Sequence, residues 1–229
     1  MVGNPAFDQV GILVTASNQQ SASVGATSGP GGTLLRGTRS ACGTFQTLHF
    51  PALPGSQQEA ENIATLWRQS SAGEGDQLMR GSAVQKDSGE LLEMTGADAS
   101  PEAFEQYAPG KRVLHVATHG FFLEGSCQSA VQRRLDAGTR DETFLPASAE
   151  NPLLLSGLAF AGANRRTSAK PEESDGILTA EEIASLNLEG VDWAVLSACN
   201  TGAGEIKVGE GVFGLRRAFQ VAGAKTVVA

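Results

Sequence analysis

An α/β fold with a mainly parallel sheet is predicted for this chain of 229 residues. Three observations predict it. Short apolar runs rich in Val, Leu and Ala alternate with segments of helical pattern. Helix starts are marked by capping residues at Ser56, Ser100 and Thr179. Two of the apolar runs end in a reactive side chain followed by a glycine-containing loop, and open parallel sheets gather function at that end of their strands.

Taken in order, "VGILVTA" (10–16) reads as the first strand. Residues 17–43 are dominated by Ser, Gly, Ala, Thr and Gln and read as a long mobile loop, with Arg36 and Arg39 as candidate cleavage positions. "SQQEAENIATLWRQS" reads as a helix opened by a capping box, Ser56 with Glu59, and Ala60, Ile63, Ala64 and Trp67 share one face. A further helix is expected within 83–95. "SPEAFEQY" is a short helix with Ser100 as N-cap and Pro101 at its first position.

"KRVLHVATHG" is a strand ending in Thr118-His119-Gly120. Residues 124–150 read as a second mobile loop, containing Arg133 and Arg134. "PLLLSGLAFAG" follows as an apolar strand, then a polar loop (161–176) around Arg165 and Arg166. "ILTAEEIASLNL" carries a capping box, Thr179 with Glu182. "VDWAVLSAC" is a strand, "GEGVFGLRRAFQVAG" a helix and "AKTVVA" a last strand. No repeat of solenoid period is present.

The totals narrow the function. A net charge of −8 argues against a phosphate-binding surface and so against direct contact with nucleic acid. No secretory leader and no apolar run of membrane-spanning length is found, and three scattered cysteines (Cys42, Cys127, Cys199) build neither a disulfide framework nor a zinc cluster. A reducing, cytoplasmic setting is expected, with no cofactor and no metal. "GEGVFG" imitates part of a dinucleotide loop, but it lies inside a helical pattern with no acidic ribose partner to follow.

His119 and Cys199 end two strands of the chain. A thiolate is a strong nucleophile, and a nearby imidazole can accept its proton and later protonate a leaving amine. The amides of Gly120 and Cys199 are the natural donors to a developing oxyanion, since Gly120 allows close approach without a Cβ. The helix beginning near Gly211 adds a modest positive potential. His115 is four residues before His119, but on a strand the two are too far apart to share an ion, so His115 reads as a packed core histidine. His49 has no chemical neighbours in sequence. A small buried cysteine and a strand-terminal His-Gly turn are the bland readings of the same residues.

These motifs resemble the CHAT domain, a caspase-like domain often found beside tetratricopeptide repeats in bacterial proteins. The carriers are "VLHVATHGFF", "NPLLLSGLAFAGANRR", "DGILTAEEIASLNLEGVDWAVLSACNTGAGE" and "GEGVFGLRRAFQVAGAKTVVA", spanning most of 111–229. "LPGSQQEAENIATLW" extends the match to about residue 53, and "VGNPAF" more loosely beyond. The resemblance implies a caspase-like three-layer α/β/α sandwich and a cysteine endopeptidase with His119 and Cys199 as its dyad. The family's Ser-Ala-Cys falls on Ser197-Ala198-Cys199, where caspases carry Gln-Ala-Cys, so Ser197 takes a position that helps line the primary specificity pocket. A strict Asp-directed pocket does not follow.

The family pattern normally runs further at both ends, so a single CHAT-like domain over 1–229, shortened at each end, is expected. The implied substrate is a protein or peptide. Attached tetratricopeptide repeats or a regulatory protein would control the activity in bacterial signalling or defence, with no membrane contact. Two other readings use the same residues: a catalytically silent scaffold, and a thiol-dependent acyltransferase or hydrolase of small molecules.

Overall fold

The structure is a computed structural model and describes residues 1–11, 39, 43–73, 91–123, 151–170, 173–198 and 210–229. Its first half contains β1 (Val2–Pro5), α1 (Gly43–Thr47), α2 (Pro54–Gly73), β2 (Met94–Gly96), α3 (Pro101–Tyr107), β3 (Val113–Ala117) and β4 (Gly120–Phe122). Then come β5 (Ser156–Ala159), β6 (Ile177–Thr179), α4 (Ala180–Ala184), β7 (Trp193–Ser197), α5 (Glu210–Val221) and β8 (Thr226–Val228). Short 3-10 turns occupy Pro152–Leu154 and Ala163–Arg165.

The α/β prediction holds. Five strands form a sheet in the order β2-β1-β3-β7-β8, and every pairing is parallel. From β1 the chain moves outward to β2, then returns to the other side for β3, β7 and β8. The reversal makes the gap between β1 and β3 a topological switch point. The smaller sheet, β4-β5-β6, is antiparallel.

Side chains alternate across the sheet. Leu114, Val116, Ala194, Leu196 and Val227 face the principal core with Phe104 of α3, Ile183 of α4 and Phe219 of α5. His115 and Ser197 point to the opposite face, which α2 covers over β1 and β3. Helices therefore lie on both faces of the sheet. A second apolar cluster, Phe7, Phe45, Phe50, Phe121, Leu123 and Ile177, joins the smaller sheet to the segment before α2.

Helix caps behave as their chemistry dictates. Ser100 Oγ accepts from Ala103 N, with Pro101 in the first turn, and Thr179 and Glu182 form a full capping box on α4. The Ser56 box does not form. α2 begins two residues earlier, Ser56 Oγ donates to Leu53 O (2.8 Å) and accepts from Asn4 N (2.9 Å), and Glu59 turns to the sheet.

Two strand expectations are corrected. The first strand is Val2–Pro5, while Val10 and Gly11 lie outside any strand and the rest of 10–16 lies outside the described residues. Gly, Asn and Pro are poor strand formers, yet Gly3 is needed because a Cβ there would meet the Ala60 Cβ of α2 at 2.7 Å. Of 83–95, residues 91–95 lead into β2, which pairs with β1, and the remainder of the expected helix lies outside the described residues. "PLLLSGLAFAG" splits into a 3-10 turn and β5. The expected loops at 17–43 and 124–150 lie outside the described residues, apart from Arg39 and Gly43. Among the described residues no helix is long and apolar enough to cross a membrane.

Candidate active site

His119 stands at the switch point, just past the carboxyl end of β3. Thr118 Oγ1 donates to Ala159 O (2.5 Å), and Ala159 N donates to His119 O (2.9 Å), so the Thr118-His119 step is fastened to β5. The imidazole has no exposed surface. Its ring packs against Phe7 (5.1 Å between centroids) and Phe50 (5.8 Å).

His119 Nε2 lies 2.7 Å from the Pro51 carbonyl oxygen. A carbonyl only accepts, so Nε2 carries the proton and the lone pair resides on Nδ1. Burial lowers the His119 pKa below its ordinary 6.5, with the Pro51 hydrogen bond opposing, and the ring is held neutral. A neutral imidazole of defined tautomer is a ready proton acceptor.

Gly120 faces the end of β7. A Cβ built on it would lie 3.4 Å from Ala198 Cβ and 3.9 Å from Ala198 O, so His119-Gly120 sits beside the residue that precedes Cys199. The β3–β7 register agrees, pairing Ala117 with Ser197. Cys199 itself lies outside the described residues, as do Cys42, Cys127, Arg36, Arg133 and Arg134. The ladder bonds Ala159 N to His119 O and Leu123 N to Leu155 O put 119, 121 and 123 in hydrogen-bonded pairs. Gly120 is then in the alternate kind of pair, with its N–H turned away from β5.

Ser197 donates to Glu59 Oε2 (2.9 Å) beneath α2. The other Glu59 oxygen is 3.1 Å from His115 Nε2, close enough for an ion pair but without hydrogen-bond geometry. His115 is buried, as expected, and burial lowers its pKa while the Glu59 carboxylate acts the other way. His49 is exposed, and nothing in its surroundings assigns it a role. Among the described residues no group of three or more His, Cys, Asp or Glu is placed to hold a metal ion.

Sequence reasoning missed the Pro51 carbonyl. A backbone oxygen carries no residue signature, and Pro51 precedes His119 by 68 positions. Two of the loop arginines are held by tertiary contacts. Arg39 is anchored by Asp175 (2.7 Å) and Glu182 (2.6 Å), and Arg166 is only 6% exposed with its guanidinium on backbone carbonyls.

A groove of about 960 Å³ opens at the opposite, amino end of the strands, lined in part by Trp67, Tyr107, Val113 and Trp193. Parallel sheets rarely place chemistry there, and His119 and Gly120 lie at the other end.

The family model of the CHAT domain matches residues 1–229, the whole chain. No curated protein and no solved structure matches the chain.

Proposed function

The chain belongs to the CHAT-domain family, which is related to caspase-like peptidases, and from that premise we propose that it is a cysteine endopeptidase with His119 and Cys199 as its dyad. The observation that carries this reading is the closeness of Gly120 to Ala198, which a Cβ on Gly120 would bring into van der Waals contact. It sets a neutral, oriented histidine next in sequence to a residue that lies beside Ala198, which precedes the cysteine of the family motif.

In this mechanism His119 Nδ1 takes the Cys199 proton, and the thiolate attacks a peptide carbonyl. The Gly120 and Cys199 amides stabilise the tetrahedral oxyanion. His119 returns the proton to the leaving amine, and water then releases the acyl group with the same ring as base. Ser197 borders the primary specificity pocket. The substrate is a protein or peptide, and the setting a bacterial cytoplasm in signalling or defence.

The sealed ring favours a second feature, control from outside. With His119 fully covered, turnover requires an opening that attached repeats or a regulatory protein would supply. A catalytically silent scaffold also fits a sealed ring, and one experiment separates the two. The protein is treated with a library of peptide acyloxymethyl ketones, beside Cys199→Ala and His119→Ala, with and without candidate repeat-domain partners. Labelling at Cys199 that both substitutions abolish supports the peptidase and reports the residue preferred before the scissile bond. No labelling under any condition supports the scaffold, and labelling at Cys42 or Cys127 overturns the assignment of the nucleophile.

A further inference from the structure

We infer that Asn164 and Arg166 are positioning residues for His119, acting at a distance through the Phe50-Pro51 peptide. This rests on the peptidase reading for its catalytic consequence, but its structural core is independent of it. The Pro51 carbonyl that fixes the His119 tautomer belongs to residues 48–53, which form neither helix nor strand. Pro51 has no N–H of its own with which to anchor its position. Something outside the segment must therefore hold that oxygen in place.

Asn164 supplies the first hold. Its Oδ1 accepts from Phe50 N (2.8 Å) while its Nδ2 donates to Phe50 O (2.9 Å), so a single amide captures both backbone groups of the residue before Pro51. Its Nδ2 also donates to Asp8 Oδ1 (2.9 Å), which fits only one orientation of the amide. The Asn164 backbone is fastened in turn, its N–H donating to Phe7 O (2.9 Å). Phe7 and Phe50, the two residues tied in this way, are the two rings against His119.

Arg166 supplies the second. Its guanidinium donates to the carbonyls of Phe45 (2.8 Å), Gln46 (3.2 Å) and Leu48, and to Ala163 (2.7 Å) within its own turn. The first three close the C-terminal end of α1, where carbonyls lack helical partners and a cation is favoured. It also stands over the Phe45 and Phe50 rings at 5.4 and 5.7 Å. Among the described residues no carboxylate lies within ion-pair distance of it. Burying such a charge on neutral acceptors is costly, and what it accomplishes here is to set the direction in which the chain leaves α1 towards Pro51. Both residues come from the turn after β5, so one element grips the strap at its start, Leu48, and at Phe50, next to Pro51.

The consequence is chemical. Loosening the strap removes the acceptor from His119 Nε2–H and allows the other tautomer, whose Nδ1 bears a proton and cannot act as the base. A misplaced tautomer in a catalytic dyad or triad lowers kcat far more than it changes KM.

The test uses the full protein with Asn164→Ala, Asn164→Ser, Arg166→Met and Arg166→Lys, beside Ile183→Val as a core substitution remote from the strap. Imidazole ¹⁵N shifts of His119 report the tautomer directly and need no activity. The expected result is a clean Nε2–H tautomer in the parent and in Ile183→Val, and a mixture in Asn164→Ala and Arg166→Met. Asn164→Ser and Arg166→Lys, which keep a polar group, should fall between. With a peptide substrate, kcat should drop at least about tenfold in the first pair while KM stays within about threefold. An unchanged tautomer in every strap variant that folds overturns the inference, whatever the rates do. A parent protein with no peptidase activity overturns the functional reading alone, since the tautomer measurement still decides the positioning role.

Discussion

Replacing Glu105 with Gln should stabilise the protein, by an amount that grows as pH rises from about 4.5 to 7 and then levels off. Glu105 is half-buried on α3, close to Glu102 and Glu182, with Arg39 as the opposing charge. Burial first, then repulsion from Glu182 and Glu102, pushes its pKa up from 4.5 to about 7. The folded state therefore binds this proton more tightly than the unfolded chain. As pH rises from 4.5 towards 7 the unfolded form ionises first, and stability falls through that window and stays low above it.

At 1.36 kcal/mol per pH unit the full rise corresponds to roughly 3 kcal/mol, a ceiling for a group this open to solvent. Screening reduces it to about 1–2 kcal/mol. Gln keeps the shape and cannot ionise, so Glu105→Gln should gain that amount at pH 8. At pH 5, where the folded carboxyl is already protonated, most of the gain should vanish. Urea unfolding of both proteins at the two pH values measures the double difference, in which His115 and His119 cancel. A gain of equal size at both pH values would refute the reasoning, because an amide effect independent of charge would then be responsible. A loss at pH 8 would refute it too, by showing that the carboxylate serves Arg39.

Gly176→Ala should cost more than about 4 kcal/mol. Its φ is +70°, and a Cβ would fall 2.2 Å from Ala163 N and 2.5 Å from Gly162 C, all backbone; a melting temperature within a few degrees of the parent would contradict this. Ser156→Ala should be neutral or stabilising by about 1 kcal/mol, since the hydroxyl is buried with no hydrogen-bond partner among the described residues; a loss of that size in chemical unfolding would expose a partner. In Glu59→Gln the His115 titration followed by NMR should move further below 6.5, because burial is then unopposed by the carboxylate, while His119 should not respond. Burial keeps both rings neutral, so in the Glu105→Gln background stability should decline as pH falls below 6.5, where the unfolded chain takes up the protons first; thermal melts between pH 8 and 5.5 that show no decline would count against neutral rings.

Local chemistry was the most legible part of this chain. The Thr179-Glu182 box and the Ser100-Pro101 start are contacts within one turn, and they form as read. Ser56 shows where such reading stops: Asn4 N and Leu53 O compete for the hydroxyl, and Glu59 is drawn to Ser197 across the sheet. β1 was unreadable for a related reason. Val-Gly-Asn-Pro has little strand propensity of its own and is a strand because β2 and β3 pair with it on either side. His119 was singled out from its place at a strand end, but its orienting oxygen and the two side chains that hold the strap are brought there by tertiary folding. No spacing rule links Pro51, Asn164 and Arg166 to it.

The passage from β3 to β4 has a mechanical meaning. A single stretch of backbone crosses from the parallel sheet into the antiparallel one with only Thr118 and His119 between them. Neither sheet can shift without pulling on that two-residue joint, so the two should exchange amide protons as one cooperative unit rather than separately. His119 is half of the axle.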